Sequence, residues 1–185
     1  GLLYTDLRSV KDMNEDRIDT VAYMNAFAFM PYITDSIYDI KELLSYFEKI
    51  VYGIVCVDTV DKLLLSELEQ VQEVLRMMCK DMDNTLRYSE DTYDVLYNGY
   101  VNGMWVDKDF IEDNIQKIGT QISTFNKVQN QLLDMIDSMK GNYRLRNVET
   151  ITQLYVPMAN LSDAIFSFSD NYEHKFLYNL KAMFV

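Results

Sequence analysis

The sequence predicts an all-α protein: an elongated antiparallel helical bundle of about five helices around a four-helix-bundle-like core. Three observations carry this. Apolar residues recur at steps of three and four over long stretches, the spacing that gathers them on one face of an α-helix. Only two prolines and six glycines interrupt 185 residues, too few breakers for the many turns of a β-sandwich. Hydrophobic residues make up 49% and charged residues 25%, which is enough apolar surface to build a core and argues against wholesale disorder.

Taken in chain order, Leu3, Leu7, Val10, Ile18, Val21 and Met24 suggest a first helix ending before Pro31, with the polar Asn14 inside its seam. The second stripe is stricter. Ile33, Ile37, Ile40, Leu44, Phe47, Val51 and Ile54 alternate steps of four and three, the pattern of a shallow left-handed bundle seam. Thr34 or Asp35, just after Pro31, is placed to cap its start. A third register opens after Asp58 with Val60, Leu64, Leu68, Val71, Leu75, Met78, Met82 and Leu86. The same stripe extends towards Tyr93, Tyr97 and Tyr100, with Asn98-Gly99 and Asn102-Gly103 as its stops. An unbroken helix from Thr59 to Asn98 would be about 60 Å long at ~1.5 Å per residue. Asn84, Thr85 and Ser89 weaken helix between Asp83 and Glu90 and suggest a break or kink there.

The fourth stripe is Ile111, Ile115, Ile118, Ile122, Phe125, Val128, Leu132, Met135 and Met139. Asp107 or Asp109 supplies its N-cap, and Gly141-Asn142 its C-terminal stop. Beyond it, Val148, Ile151 and Tyr155 lead into Pro157, whose missing N–H is expected to break the C-terminal helix. Asn160 or Ser162 can then cap a new start carried by Ile165, Phe168, Tyr172, Phe176, Leu180 and Met183. Short links between neighbours imply antiparallel packing. No repeat, low-complexity tract or linker divides the chain, so residues 1–185 are expected to form one domain, which at this length removes roughly 70% of the unfolded surface from water.

Seventeen basic against twenty-nine acidic side chains give a net charge of −12. An acidic surface repels phosphate backbones and anionic leaflets, so nucleic acid and lipid are poor partners. The longest apolar run, from Ile50 to Val57, is far short of the ~20 residues that cross a bilayer, so a soluble chain is expected. The first residue is Gly rather than Met, which reads as a tag-cleavage scar and leaves a removed leader, and with it export, open.

The sequence offers few parts for chemistry. Cys56 and Cys79 fall roughly 30 Å apart along an antiparallel hairpin turning near Asp58, too far for a disulfide, and read as two buried free thiols. His174 is the single histidine, which cannot supply the paired Glu-x-x-His sets of a di-iron bundle or a His-and-Cys zinc site. Asp81 and Asp83 are spaced like the start of an EF-hand loop but lack its glycine and closing glutamate. No nucleophile elbow, Walker loop or dinucleotide fingerprint occurs. Glu67, Glu69, Glu73, Glu112 and Asp113 read as a solvated bundle face, with carboxylate acid–base chemistry as the alternative. Lys140, Arg144 and Arg146 read as cations facing a helix C-terminus in preference to an anion site. No cofactor or metal is expected.

The aromatic excess is the most informative feature. Tyr occurs 14 times, and Tyr88, Tyr93, Tyr97, Tyr100 and Trp105 crowd the segment before the fourth stripe. Tyr and Trp join a large apolar body to a polar tip and are favoured at interfaces. Many of them will fill the bundle's core and margins; the remainder points to a partner surface on the loop from Asn98 to Asp107 with its flanking helices, built from Tyr93, Tyr97, Tyr100, Met104 and Trp105. The leading expectation is therefore a non-enzymatic structural or protein-interaction bundle, with a protein partner or self-association, of the kind found among envelope, secretion or conjugation accessory components. The alternative is a ligand-sensing bundle holding a small molecule between helices, with Asn14 and the tyrosines as polar contacts. A carboxylate- or tyrosine-based enzyme comes third.

Overall fold

The computed structural model describes residues 7–8, 20–56, 62–102, 106–141 and 148–183. They form the all-α bundle that the periodicity predicts. Helix α1 is Thr20–Ala28, α2 Met30–Val55, α3 Lys62–Asn102, α4 Lys108–Gly141 and α5 Val148–Asn171. A π-helical segment, Tyr172–Leu177, and the short α6, Tyr178–Ala182, continue from α5. The one departure from helix among the described elements is a two-residue antiparallel bridge. In it β1, Leu7–Arg8, pairs with β2, Val106–Asp107, in the register Leu7 opposite Asp107. Leu7 thus lies in this bridge and not in a first helix.

The chain contacts divide into two compact units. The first comprises Gly1–Thr34, Met82–Ser123 and Asp170–Val185, the second Asp35–Asp81 and Thr124–Ser169. The apolar stripes are the cores of both. All seven residues of the second stripe, Ile33 to Ile54, are buried, as are Ile111, Ile115, Ile118, Ile122, Phe125, Val128, Leu132 and Met135 of the fourth. The first unit adds Phe176, Leu180 and Met183, and the second adds Leu68, Leu75, Leu154 and Ile165. Met24 does not join them: it is 64% exposed, and Ala22 and Ala26 form the buried side of α1 instead. Small residues there let α1 lie close to the π segment and α6, which it contacts.

Three expected helix boundaries differ. Helix α2 begins at Met30, ahead of Pro31, and Ile33 N–H donates to Phe29 C=O at 3.0 Å. Pro31 therefore sits in the first turn, where a missing N–H costs nothing. Thr34 does not cap; its hydroxyl donates back to Met30 C=O at 3.1 Å.

Helix α3 is unbroken from Lys62 to Asn102. Of the residues expected to weaken it, Ser89 is absorbed by the helix itself, its Oγ donating to Thr85 C=O at 2.9 Å, and further on Thr92 Oγ1 donates likewise to Tyr88 C=O at 2.7 Å. Both side chains are buried, so tertiary contacts outweigh their few tenths of a kcal/mol of unfavourable propensity.

Pro157 does not break α5, which runs through it. An interior proline costs about 3 kcal/mol. Leu154, Met158 and Leu161 around it are each fully buried, and each contributes roughly 1.5–3 kcal/mol by leaving water. Burial of this kind offsets a cost of that size. Ser162, expected as a cap, is instead buried within the helix, and Gln129 Nε2 donates to its carbonyl at 3.4 Å.

Helix α4 begins as expected. The Asp107 carboxylate accepts from Asp109 N–H at 3.0 Å and Phe110 N–H at 3.2 Å, satisfying two of the four free donors of a helix start. Pairings also fix helix directions within each unit. In the first unit, Asn114 Nδ2 donates to Thr92 Oγ1 at 3.1 Å and Lys117 lies over the Tyr88 ring, so α3 and α4 run antiparallel there. In the second, Ser169 Oγ donates to Asn126 Oδ1 at 2.6 Å and Phe168 packs on Phe125, matching Gln129 with Ser162. There α4 and α5 run antiparallel.

Candidate functional site

In the first unit the residues of interest form a ladder of rings. Tyr93 and Tyr97 are one turn apart on α3, where side chains at i and i+4 meet, and their rings stack with centroids 5.6 Å apart and planes at 25°. Phe27 of α1 meets Tyr93 edge-on at 4.8 Å and Phe176 of the π segment at 5.5 Å. Phe176 in turn meets Tyr172 at 5.3 Å. The ladder climbs outward: Tyr172 and Phe176 are fully buried, Phe27 and Tyr93 half-buried, and Tyr97 is 43% exposed. Each such ring pair is worth about 0.5–1.5 kcal/mol beyond its area, so the outermost ring is held from below.

The foot of the ladder is polar. The Tyr172 hydroxyl is bonded to the Ser89 hydroxyl and also donates to Thr85 C=O at 3.1 Å. Burial pushes the Tyr172 phenol well above the ordinary tyrosine pKa, with the Ser89 bond opposing that shift. The π turn has a geometric reason. Phe168, Tyr172, Phe176 and Leu180 follow at steps of four, and each such step drifts about 40° around an α-helix. A wider turn takes up the drift and keeps all four buried.

Of the five residues expected on a partner surface, Tyr93 and Tyr97 are thus brought together. Tyr100 belongs to α3, but its side chain, like Met104 and Trp105 altogether, lies outside the described residues. Asn14 and the basic residues Arg144 and Arg146 lie outside them too. Phe27, Phe176 and Tyr172 support these rings, a role the sequence does not show. The stripe of the C-terminal helix marked two of them as core, but nothing local links them to Phe27.

The second unit holds a groove between α3 and α4 of about 380 Å³. Its floor is apolar, from Val71, Val74, Leu75, Val128, Leu132 and Met135. Glu67, Gln70, Gln131, Asp134 and Ser138 complete the lining, which holds two carboxylates and no Lys, Arg or His. On the outer face of α2 in the same unit, Tyr38, Tyr46 and Tyr52 are 62%, 58% and 75% exposed. At 3.6 residues per turn they fall within about 120° of arc. The Glu42 carboxylate bonds the Tyr38 hydroxyl and raises its pKa.

Several of the remaining polar candidates are ion-paired. Glu73 pairs with Arg76, Glu112 with Lys108, and Asp113 with Lys117, all at the surface. The Asp113 hydrogen bond, then its charge, raises the Lys117 pKa. His174 is exposed beside Asp170 at 3.4 Å. Among the described residues no three His, Cys, Asp or Glu side chains are grouped to hold a metal ion. Neither cysteine is in a disulfide, and only Cys79 is buried; Cys56, just past the end of α2, is exposed. Among the described residues no helix is long and apolar enough to cross a membrane. No protein-family model matches this chain, and no curated protein or solved structure matches it either.

Proposed function

We propose that the chain is a non-enzymatic protein-interaction bundle whose partner docks on the aromatic surface of Tyr93, Tyr97, Tyr100, Met104 and Trp105. The observation that supports this is the ladder ending on Tyr97. Interface anchors are typically aromatic, and they bind best when their rotamers are fixed before the partner arrives. Tyr97 meets both conditions: its ring is 43% exposed and it is stacked on a ring that is itself packed on Phe27.

The test places a photo-crosslinking residue at Tyr97 and, as a control, at the exposed Phe166. Sedimentation velocity run in parallel reports self-association. Discrete adducts or a dimer specific to position 97, lost in Trp105→Ala, support the reading. Equal labelling from both positions would sink it.

A second reading, small-molecule binding, is favoured by the groove of the second unit. Its size falls in the range of about 300–1,000 Å³ typical of ligand pockets, and an apolar floor with a few polar groups is their usual composition.

A further inference from the structure

The groove between α3 and α4 in the second unit carries an electrostatic signature that narrows what it can hold. Val71, Leu75, Leu132 and Met135 belong to its apolar floor, and Glu67 and Asp134 contribute the charges of its lining. We propose that this site binds a small amphiphilic cation, an apolar body bearing one ammonium group, and this rests on the small-molecule reading of the groove.

An apolar floor recovers free energy in proportion to the apolar area a ligand removes from water, which selects a hydrocarbon or aromatic body. Two carboxylates with no basic side chain in the lining then attract a positive charge and repel a negative one. The chain's charge of −12 adds a field of the same sign. Glu67 is half-buried and Asp134 exposed, so the charge preference is moderate and screened by salt. Fatty acids and other anionic amphiphiles, which suit many apolar pockets by shape, are disfavoured here by charge.

The test uses three probes that share one ring system and differ in charge: naphthylethylamine, naphthylethanol and naphthylacetate. Each is titrated into the full chain by calorimetry at low and at near-physiological salt. The amine is expected to bind about tenfold more tightly than the acetate at low salt, with the alcohol between them and the gap narrowing as salt rises. Glu67→Gln combined with Asp134→Asn keeps size and shape at the rim, and should bring the amine most of the way down to the alcohol, the rest being the salt-screened field of the whole chain, while leaving the alcohol unchanged. Val71→Trp, which fills the groove, should abolish binding of all three; its thermal unfolding is recorded alongside. If the three probes bind alike, the charge selection is wrong and groove binding stands. If none binds, the small-molecule reading fails and the inference with it. Amine binding that survives both variants overturns the placement of the site.

Discussion

The hydroxyls of Tyr172 and Ser89 meet inside the first unit, both side chains being excluded from water. Both also bond the same acceptor, Thr85 C=O. Three contacts share two protons, so when both hydroxyls donate to the carbonyl one of those protons must also be shared with the other hydroxyl's oxygen. No buried polar side-chain atom among the described residues is left without a partner. The triangle is therefore a satisfied network joining α3 to the π segment. Such networks stabilise when complete and cost when one member is removed.

Tyr172→Phe removes the phenol oxygen and leaves Ser89 bonded to Thr85. It is expected to destabilise by about 1–2 kcal/mol, and Ser89→Ala by about 1 kcal/mol, because the Tyr172 bond to Thr85 survives. Urea unfolding of both single variants and the double variant measures the coupling. Strict additivity would mean that the two hydroxyls do not act together.

The same tyrosine sets an alkaline limit. Its folded-state pKa lies above the ordinary value of about 10, so the folded state holds the phenol proton more tightly than the unfolded chain does. That contribution is fully present below about pH 10 and is lost as pH rises towards the folded-state value. Wild type should lose stability more steeply than Tyr172→Phe above about pH 10. Parallel thermal-unfolding curves across that range would count against it.

Asp107 holds the first turn of α4 through two backbone N–H groups. Asp107→Ala should cost about 1 kcal/mol, and Asp107→Asn, an equally good cap, little. Equal losses in the two variants would assign the effect to charge and not to capping.

Pro157 stands inside α5, where a proline is unfavourable by about 3 kcal/mol relative to alanine. Pro157→Ala restores a backbone donor at a small loss of buried volume. Stability should rise by about 1–2 kcal/mol, read from the urea midpoint at unchanged slope. A fall in stability would mean that the ring's packing outweighs the helix defect.

Exposure separates the two thiols. Cys56 is exposed and Cys79 buried at 8% exposure. A maleimide should label one thiol per chain under native conditions and the second only after denaturation. Rapid labelling of both would show that α3 opens around Cys79.

By itself the sequence determined the helical class and the buried faces of α2 and α4. A side chain's position around a helix follows from its place in the chain, at 3.6 residues per turn. The stripes Ile33 to Ile54 and Ile111 to Met135 are accordingly core to the last described residue. The Asp107 cap was legible for the same reason, since a cap is a local pattern. Tertiary structure decided everything that depends on neighbours distant in sequence. It carried α5 through Pro157 and α3 through Ser89, because burial outweighs local propensity. It turned Met24 outward, and it assembled Phe27, Tyr93 and Phe176 into one ladder. The groove's mixture of apolar floor and carboxylate lining arises in the same way, from which faces of α3 and α4 come together. Periodicity names the face a helix buries, but its partner is chosen by packing.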